Sequence, residues 1–163
     1  MNKEERGNEA FLAIGKFIQE FSLMEFALRL LFLTELKPDW RFGEVLLYSY
    51  DLAHLCTVTK RIVSISRNEE NSREIHRLID QVHQMNAERI KVVHGLWVAD
   101  FFGGALSYFP RSKLQSVELR DQRKHLEQLS KKVSKLAEAI LNQIDWGVPK
   151  RPKRHRRKNR ASG

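Results

Sequence analysis

Arg89, a charge on an otherwise apolar helix stripe, and His94, five residues on, are residues whose types could do chemistry. They lie in the stretch AERIKVVHG, Ala87 to Gly95. Arginine keeps its charge and offers a planar fork of donors, which fits a phosphate or a carboxylate. Histidine titrates near neutrality, so it can give or take a proton. Ile75, Val82 and Arg89 are seven residues apart, and so are Ile79, Asn86 and Val93. Residues at that spacing share one face of an α-helix. Ile75, Leu78, Ile79, Val82 and Met85 therefore predict a buried face that Asn86 and Arg89 continue. An unpaired charge in a core is very costly. Arg89 needs either a carboxylate inside the core or a groove open to water. His94 and then Gly95 mark the helix end.

Other chemistries find little support in the chain. There is no HExxH, no His-x-x-His and no cysteine pair, so no metal site is expected. No P-loop or GxGxxG is present, and Gly103-Gly104 reads as a turn, not a phosphate cradle. No serine nucleophile elbow occurs. Cys56 stands among apolar neighbours in LAHLCTVTK and reads as a small core residue. No cofactor is expected.

A single domain is the default for 163 residues, with enough chain for a core. One cysteine excludes an internal disulfide framework and fits a reducing cytoplasm. The charged N-terminus lacks the apolar stretch of a signal peptide, and no apolar run approaches a membrane span. The net charge of +9 is unevenly placed. Residues 150–163 hold eight Lys or Arg and no acid, which leaves 21 basic against 20 acidic residues before them. The predicted organisation is a helical domain over 1–147 and a basic, disordered tail over 148–163. Lys150, Arg151, Lys153, Arg154, Arg156 and Arg157 would attract a phosphate backbone without reading its sequence, and such a string would equally serve as a nuclear-localisation-like signal or a solubility tail.

Apolar periodicity predicts the elements that position the pair. A first helix runs from about Asn8 to Glu35, carried by Phe11, Ile14, Phe17, Phe21, Met24, Leu28 and Leu31, with Glu25 beside the stripe. Pro38 stops it. A second runs from about Phe42 to Ser66. A third, capped by Asn71 or Ser72, runs to about His94. The period then changes: strands near Leu96–Phe101 and Ala105–Phe109 flank Gly103-Gly104 as a β-hairpin. A last helix starts between Ser112 and Glu118 and ends near Trp146, with Leu119, Leu126, Val133 and Ile140 on one track and Leu129 and Leu136 on another. The expected fold is all-α: an antiparallel bundle of four main helices with a short β-hairpin between helices three and four.

RIKVVHG resembles the R-x4-H motif of HEPN-domain proteins, often written R-N-x-x-x-H-G at a helix end. The layout over residues 8–146 is similar too. It has a long first helix with Phe21, Ser22 and Glu25 in an fs-x-x-E turn, the motif ending the third helix, and an HGLW exit to a last long helix. The resemblance implies a homodimer that brings two motifs into one cleft. It implies a metal-independent endoribonuclease of toxin–antitoxin or abortive-infection type, with Arg89 and His94 as the catalytic pair and an antitoxin protein as a further partner. The chain departs from the pattern at Ile90, where many active members carry a polar residue.

Those roles are physically coherent. Metal-independent RNA cleavage needs a base for the 2′-hydroxyl, an acid for the leaving oxygen and a cation on the phosphorus. His94 suits the acid, with the second protomer's His94 as base, and Arg89 suits the cation. An i, i+5 pair lies about 140° apart on a helix, so one motif does not converge on itself. A dimer or a distorted helix end would bring the groups together. Asn86 and Glu25 are candidate supports for Arg89. Lys91 and Trp97 are candidate RNA contacts, by charge and by stacking. Two other readings stand beside this one. The first is a catalytically inactive HEPN-like module for RNA binding or dimerisation. The second is a helical adaptor in which Arg89 forms a buried structural ion pair.

Overall fold

Phe17, Phe21, Met24, Leu28 and Leu31 recur every three or four residues and are all buried. They lie on α1 (Lys3–Leu36), the central helix, about 51 Å long. The computed structural model describes the backbone of residues 3–99, 106–109, 117–118 and 122–146, and the side chains of 8–9, 11–39, 42–43, 45–47, 49–95 and 123–146. The described residues are mostly helical. After α1 come α2 (Trp40–Ser49), α3 (Leu52–Ser66), α4 (Glu69–His94), β1 (Leu96–Ala99), β2 (Leu106–Phe109), β3 (Val117–Glu118) and α5 (Gln122–Leu141). α1 packs against α3, α4 and α5, α3 packs on α4, and α4 packs on α5. Each fully buried large apolar side chain contributes about 1.5–3 kcal/mol. No helix among the described residues is long and apolar enough to cross a membrane.

Lys37 ends α1 with a positive φ of 48°, and its N–H donates to the Leu33 carbonyl at 2.9 Å. This is a left-handed cap, and Pro38 prevents continuation. The chain then differs from the four-helix expectation, because five helices are described. The segment expected as one helix over Phe42–Ser66 breaks at residues 50–51. Asp51 is extended (φ −67°, ψ 166°) and its carboxylate accepts the His54 N–H at 2.8 Å, which starts α3 afresh. Tyr48, Leu52 and Leu55 keep helical spacing across that break, so periodicity does not reveal it. Ile65, in helical register with Leu55, Val58 and Ile62, is nonetheless 86% exposed at the end of α3.

Asn68 caps α4 by accepting the Asn71 N–H at 3.0 Å, and Glu69 and Glu70 sit at the positive end of the helix dipole. Ser72, a predicted cap, is instead buried within the first turns and donates to the Val63 carbonyl at 3.2 Å. Asn71, the other predicted cap, supplies the capped N–H. Ile75, Ile79, Val82 and Met85 are buried against the core.

β1 pairs antiparallel with β2, Leu96 opposite Phe109 and Ala99 opposite Leu106; β2 pairs antiparallel with β3, Tyr108 opposite Val117. The expected glycine turn falls in 100–105, outside the described residues, as does the expected tail over 148–163. Val117 and Glu118, placed within reach of the last helix by its repeat, are extended instead, and α5 begins at Gln122. Leu126, Leu129, Val133, Leu136 and Ile140 line its buried face.

Candidate functional site

The last turns of α4 carry the motif. Ile75, Ile79, Val82 and Met85 fix the rotation of the helix, and this rotation sets Arg89 over α1. Arg89 is half-buried, with Cζ 5.8 Å from the centroid of the Phe21 ring. A cation over an aromatic face at this partly exposed position is worth about 0.5–1 kcal/mol. Among the described residues Arg89 has no carboxylate and no hydrogen-bond partner. Asn86, one turn earlier on the same face, is also half-buried and makes no hydrogen bond to Arg89.

Glu25 does not support Arg89. Its carboxylate binds Arg29 at 2.5 Å, an i, i+4 pair on α1, and Arg29 also donates to the Leu47 carbonyl of α2. Glu25 therefore helps hold α2 against α1.

His94 is the final residue of α4 and is exposed. It lies about 140° round the helix from Arg89, so the structure does not bring the pair together within one chain. Gly95 closes the helix with extended backbone (φ −79°, ψ 145°), its N–H donating to the Lys91 carbonyl. No positive φ is used there. Ile90 and Val93 are exposed apolar residues flanking the motif, at 46% and 43%. Lys91 is exposed, and its ammonium pairs with Glu88 at 2.7 Å, which partly satisfies the charge expected to meet RNA. Glu88 also faces His125 of α5 at 4.0 Å. Trp97 lies on β1 opposite Tyr108; its side chain falls outside the described residues, as do Lys150, Arg151, Lys153, Arg154, Arg156 and Arg157.

The arrangement can therefore do two things. A guanidinium held on a ring face with its donors uncommitted can receive an anion. An exposed imidazole at a helix end can exchange a proton. Phe21 is the member of the site that sequence reasoning missed. It stood in the apolar stripe and in the fs-x-x-E turn without a role towards Arg89, and the signal that could have found that role is its place on the buried face that receives α4.

Two other chemically capable groups, Cys56 and His76, are committed to structure. Cys56 is buried, and burial pushes its thiol up to about 11, so it is not a thiolate at neutral pH. His76 Nε2 lies 3.1 Å from the Lys60 carbonyl and 3.2 Å from Ser64 Oγ, tying α4 to α3, while nearby Asp80 pairs with Lys60. No cluster of three or more His, Cys, Asp or Glu among the described residues is arranged to hold a metal ion.

At the opposite end of α4 a polar cleft of about 600 Å³ opens between the ends of α1, α3 and α5. Arg67 spans it, donating to Glu35 at 2.9 Å and to the Gln143 carbonyl at 2.7 Å. Burial alone would raise the Glu35 carboxyl. Hydrogen bonds from Arg67 and Ser66, with the Arg67 charge, outweigh it and hold the group below the usual carboxylate range.

Comparison of the chain with protein-family models, with curated proteins and with solved structures finds no match.

Proposed function

We propose that this protein is a homodimeric, metal-independent endoribonuclease of HEPN type, with Arg89 and His94 as its catalytic pair. The observation that carries the reading is Arg89 itself. It is half-buried on Phe21 and lacks a carboxylate partner among the described residues, so its donors are disposed towards an anion. The adaptor reading required Arg89 to pair with a core carboxylate, and Glu25 is engaged by Arg29 instead. In the proposed reaction Arg89 holds the phosphate as negative charge develops on it. His94 protonates the departing 5′-oxygen as the 2′-hydroxyl passes its proton to water and its oxygen attacks phosphorus, so each site uses one Arg89 and one His94. The products are a 2′,3′-cyclic phosphate and a 5′-hydroxyl.

The divergence of Arg89 and His94 supports a site shared by two copies, one giving Arg89 and the other His94. Ile90 and Val93 beside the motif offer apolar surface for a second copy to cover. An exposed Ile90 favours the second reading, an inactive RNA-binding module, because it places no polar group next to Arg89. The two separate by incubating varied RNAs with the full chain in excess EDTA and identifying the product ends. Cyclic phosphate ends support the nuclease. Binding without cleavage supports the module.

A further inference from the structure

The outer face of α5 is basic in a way the rest of the described surface is not. α5 carries five Lys or Arg against two Glu. Opposite its buried face, Lys124, Lys131 and Lys135 fall on one line, and Lys132 flanks them; all four are exposed. Rise along the helix sets Lys131 and Lys135 about 6 Å apart; Lys124, nearer the start of the helix, already makes an interaction of its own. Gln128, on the same line, is neutral. Arg123 binds both Glu9 of α1 and Glu127 of α5, so the two carboxylates nearest the start of the line are already compensated. Lys16 of α1 and Lys131 line the same groove, of about 350 Å³, between α1 and α5. Lys16, Lys131, Lys132 and Lys135 have no ion-pair partner among the described residues. Glu138 is the carboxylate of α5 that stays exposed beyond them.

A solvated helix face normally interleaves its charges, and α4 shows this, with Glu70, Arg73, Glu74, Arg77 and Asp80 all exposed. Lysines of one sign in a line repel one another unless a polyanion neutralises them together. We propose that the outer face of α5, with Lys16 across the groove, is a docking track for the phosphate backbone of RNA, separate from Arg89 and His94. It rests on the reading that RNA is the partner but not on cleavage. Lysine on a flexible stem gives a point contact to phosphate and reads no base, so the track binds without regard to sequence.

The test is fluorescence anisotropy of a labelled 20-nucleotide oligo(U) with the full chain, over a range of KCl concentrations. The variants are Lys131→Gln/Lys135→Gln and, as a charge-matched control on the outer face of α4, Arg73→Gln/Arg77→Gln. Circular dichroism checks that both keep the helical signal of the wild type. Losing two phosphate contacts on a single strand lowers the slope of log K against log salt by about 1.4. The expected result is that drop, with roughly tenfold weaker binding near 0.1 M salt, for the α5 variant alone. An unchanged slope in the α5 variant overturns the track. So does an equal loss in the control, because net charge then explains the binding. A slope change in a protein that never cleaves RNA retains the track and removes the nuclease reading. Cleavage with an unchanged slope does the reverse.

Discussion

The two ends of α4 hold two arginines in opposite states. Near its start, Arg67 is clamped by Glu35 and the Gln143 carbonyl, and its side chain is 18% exposed. Near its finish, some 30 Å along, Arg89 rests on the Phe21 ring with no acid beside it among the described residues. The first arrangement spends every strong interaction within the fold. The second leaves a cation's hydrogen-bonding capacity unspent. An arginine whose partners lie inside the protein is a structural fastener. One held in place by an aromatic face, with its donors free, is arranged to meet something from outside. A cleft of about 600 Å³ lies at the first end, and the candidate chemistry lies at the second.

Breaking each end should produce different losses. The largest is expected at the motif. His94→Ala and Arg89→Ala should each lower RNA cleavage by about 10²–10⁴-fold, measured in EDTA, since each removes a proton-transfer or charge-stabilising group. Arg89→Ala should nonetheless leave folding nearly intact, costing about 0.5–1 kcal/mol in urea unfolding through loss of its ring contact. Glu35→Ala should do the opposite. It strands a half-buried Arg67 and should cost about 3 kcal/mol of stability with little effect on cleavage per folded molecule.

Acid unfolding sharpens the contrast. The folded Glu35 carboxyl titrates below its unfolded value, so its stabilisation is fully present above the unfolded pKa. It is lost as pH falls through the folded one. Glu35→Gln should therefore flatten the acid limb of the stability curve, and Arg89→Gln should leave it unchanged. The smallest effect is expected at Lys37, whose left-handed backbone suits glycine. Lys37→Gly should raise stability by about 0.5–1 kcal/mol in the same urea assay.

Local patterning made much of the fold legible. The buried faces of α1, α4 and α5 follow from residues three, four and seven apart, and the end of α4 from His94-Gly95. The break between α2 and α3 was hidden because Tyr48, Leu52 and Leu55 stay in helical register across it; the capping signal of Asp51 is a single residue. The start of α5 was misplaced because Val117–Glu118 joins a ladder set by β2, a partner outside the local window. The Glu25–Arg29 pair was visible as an i, i+4 spacing, and the pull of an unpaired Arg89 obscured it. The Glu35–Arg67 clamp joins residues 32 apart, beyond what periodicity reports. Arg89 stood out from its type and stripe position. Phe21 beneath it needed the packing of α4 on α1.

Arg89 of one copy and His94 of another are proposed to act together on RNA. The most direct test of this pairing mixes purified Arg89→Ala and His94→Ala proteins, after dissociation and reassociation, and measures RNA cleavage in EDTA. Each variant alone should be inactive. Random pairing gives half mixed dimers, each with one complete site of two, so about a quarter of wild-type activity should return. Wild-type cleavage with no recovery on mixing would contradict a shared site, and an inactive wild type would contradict the catalytic account altogether.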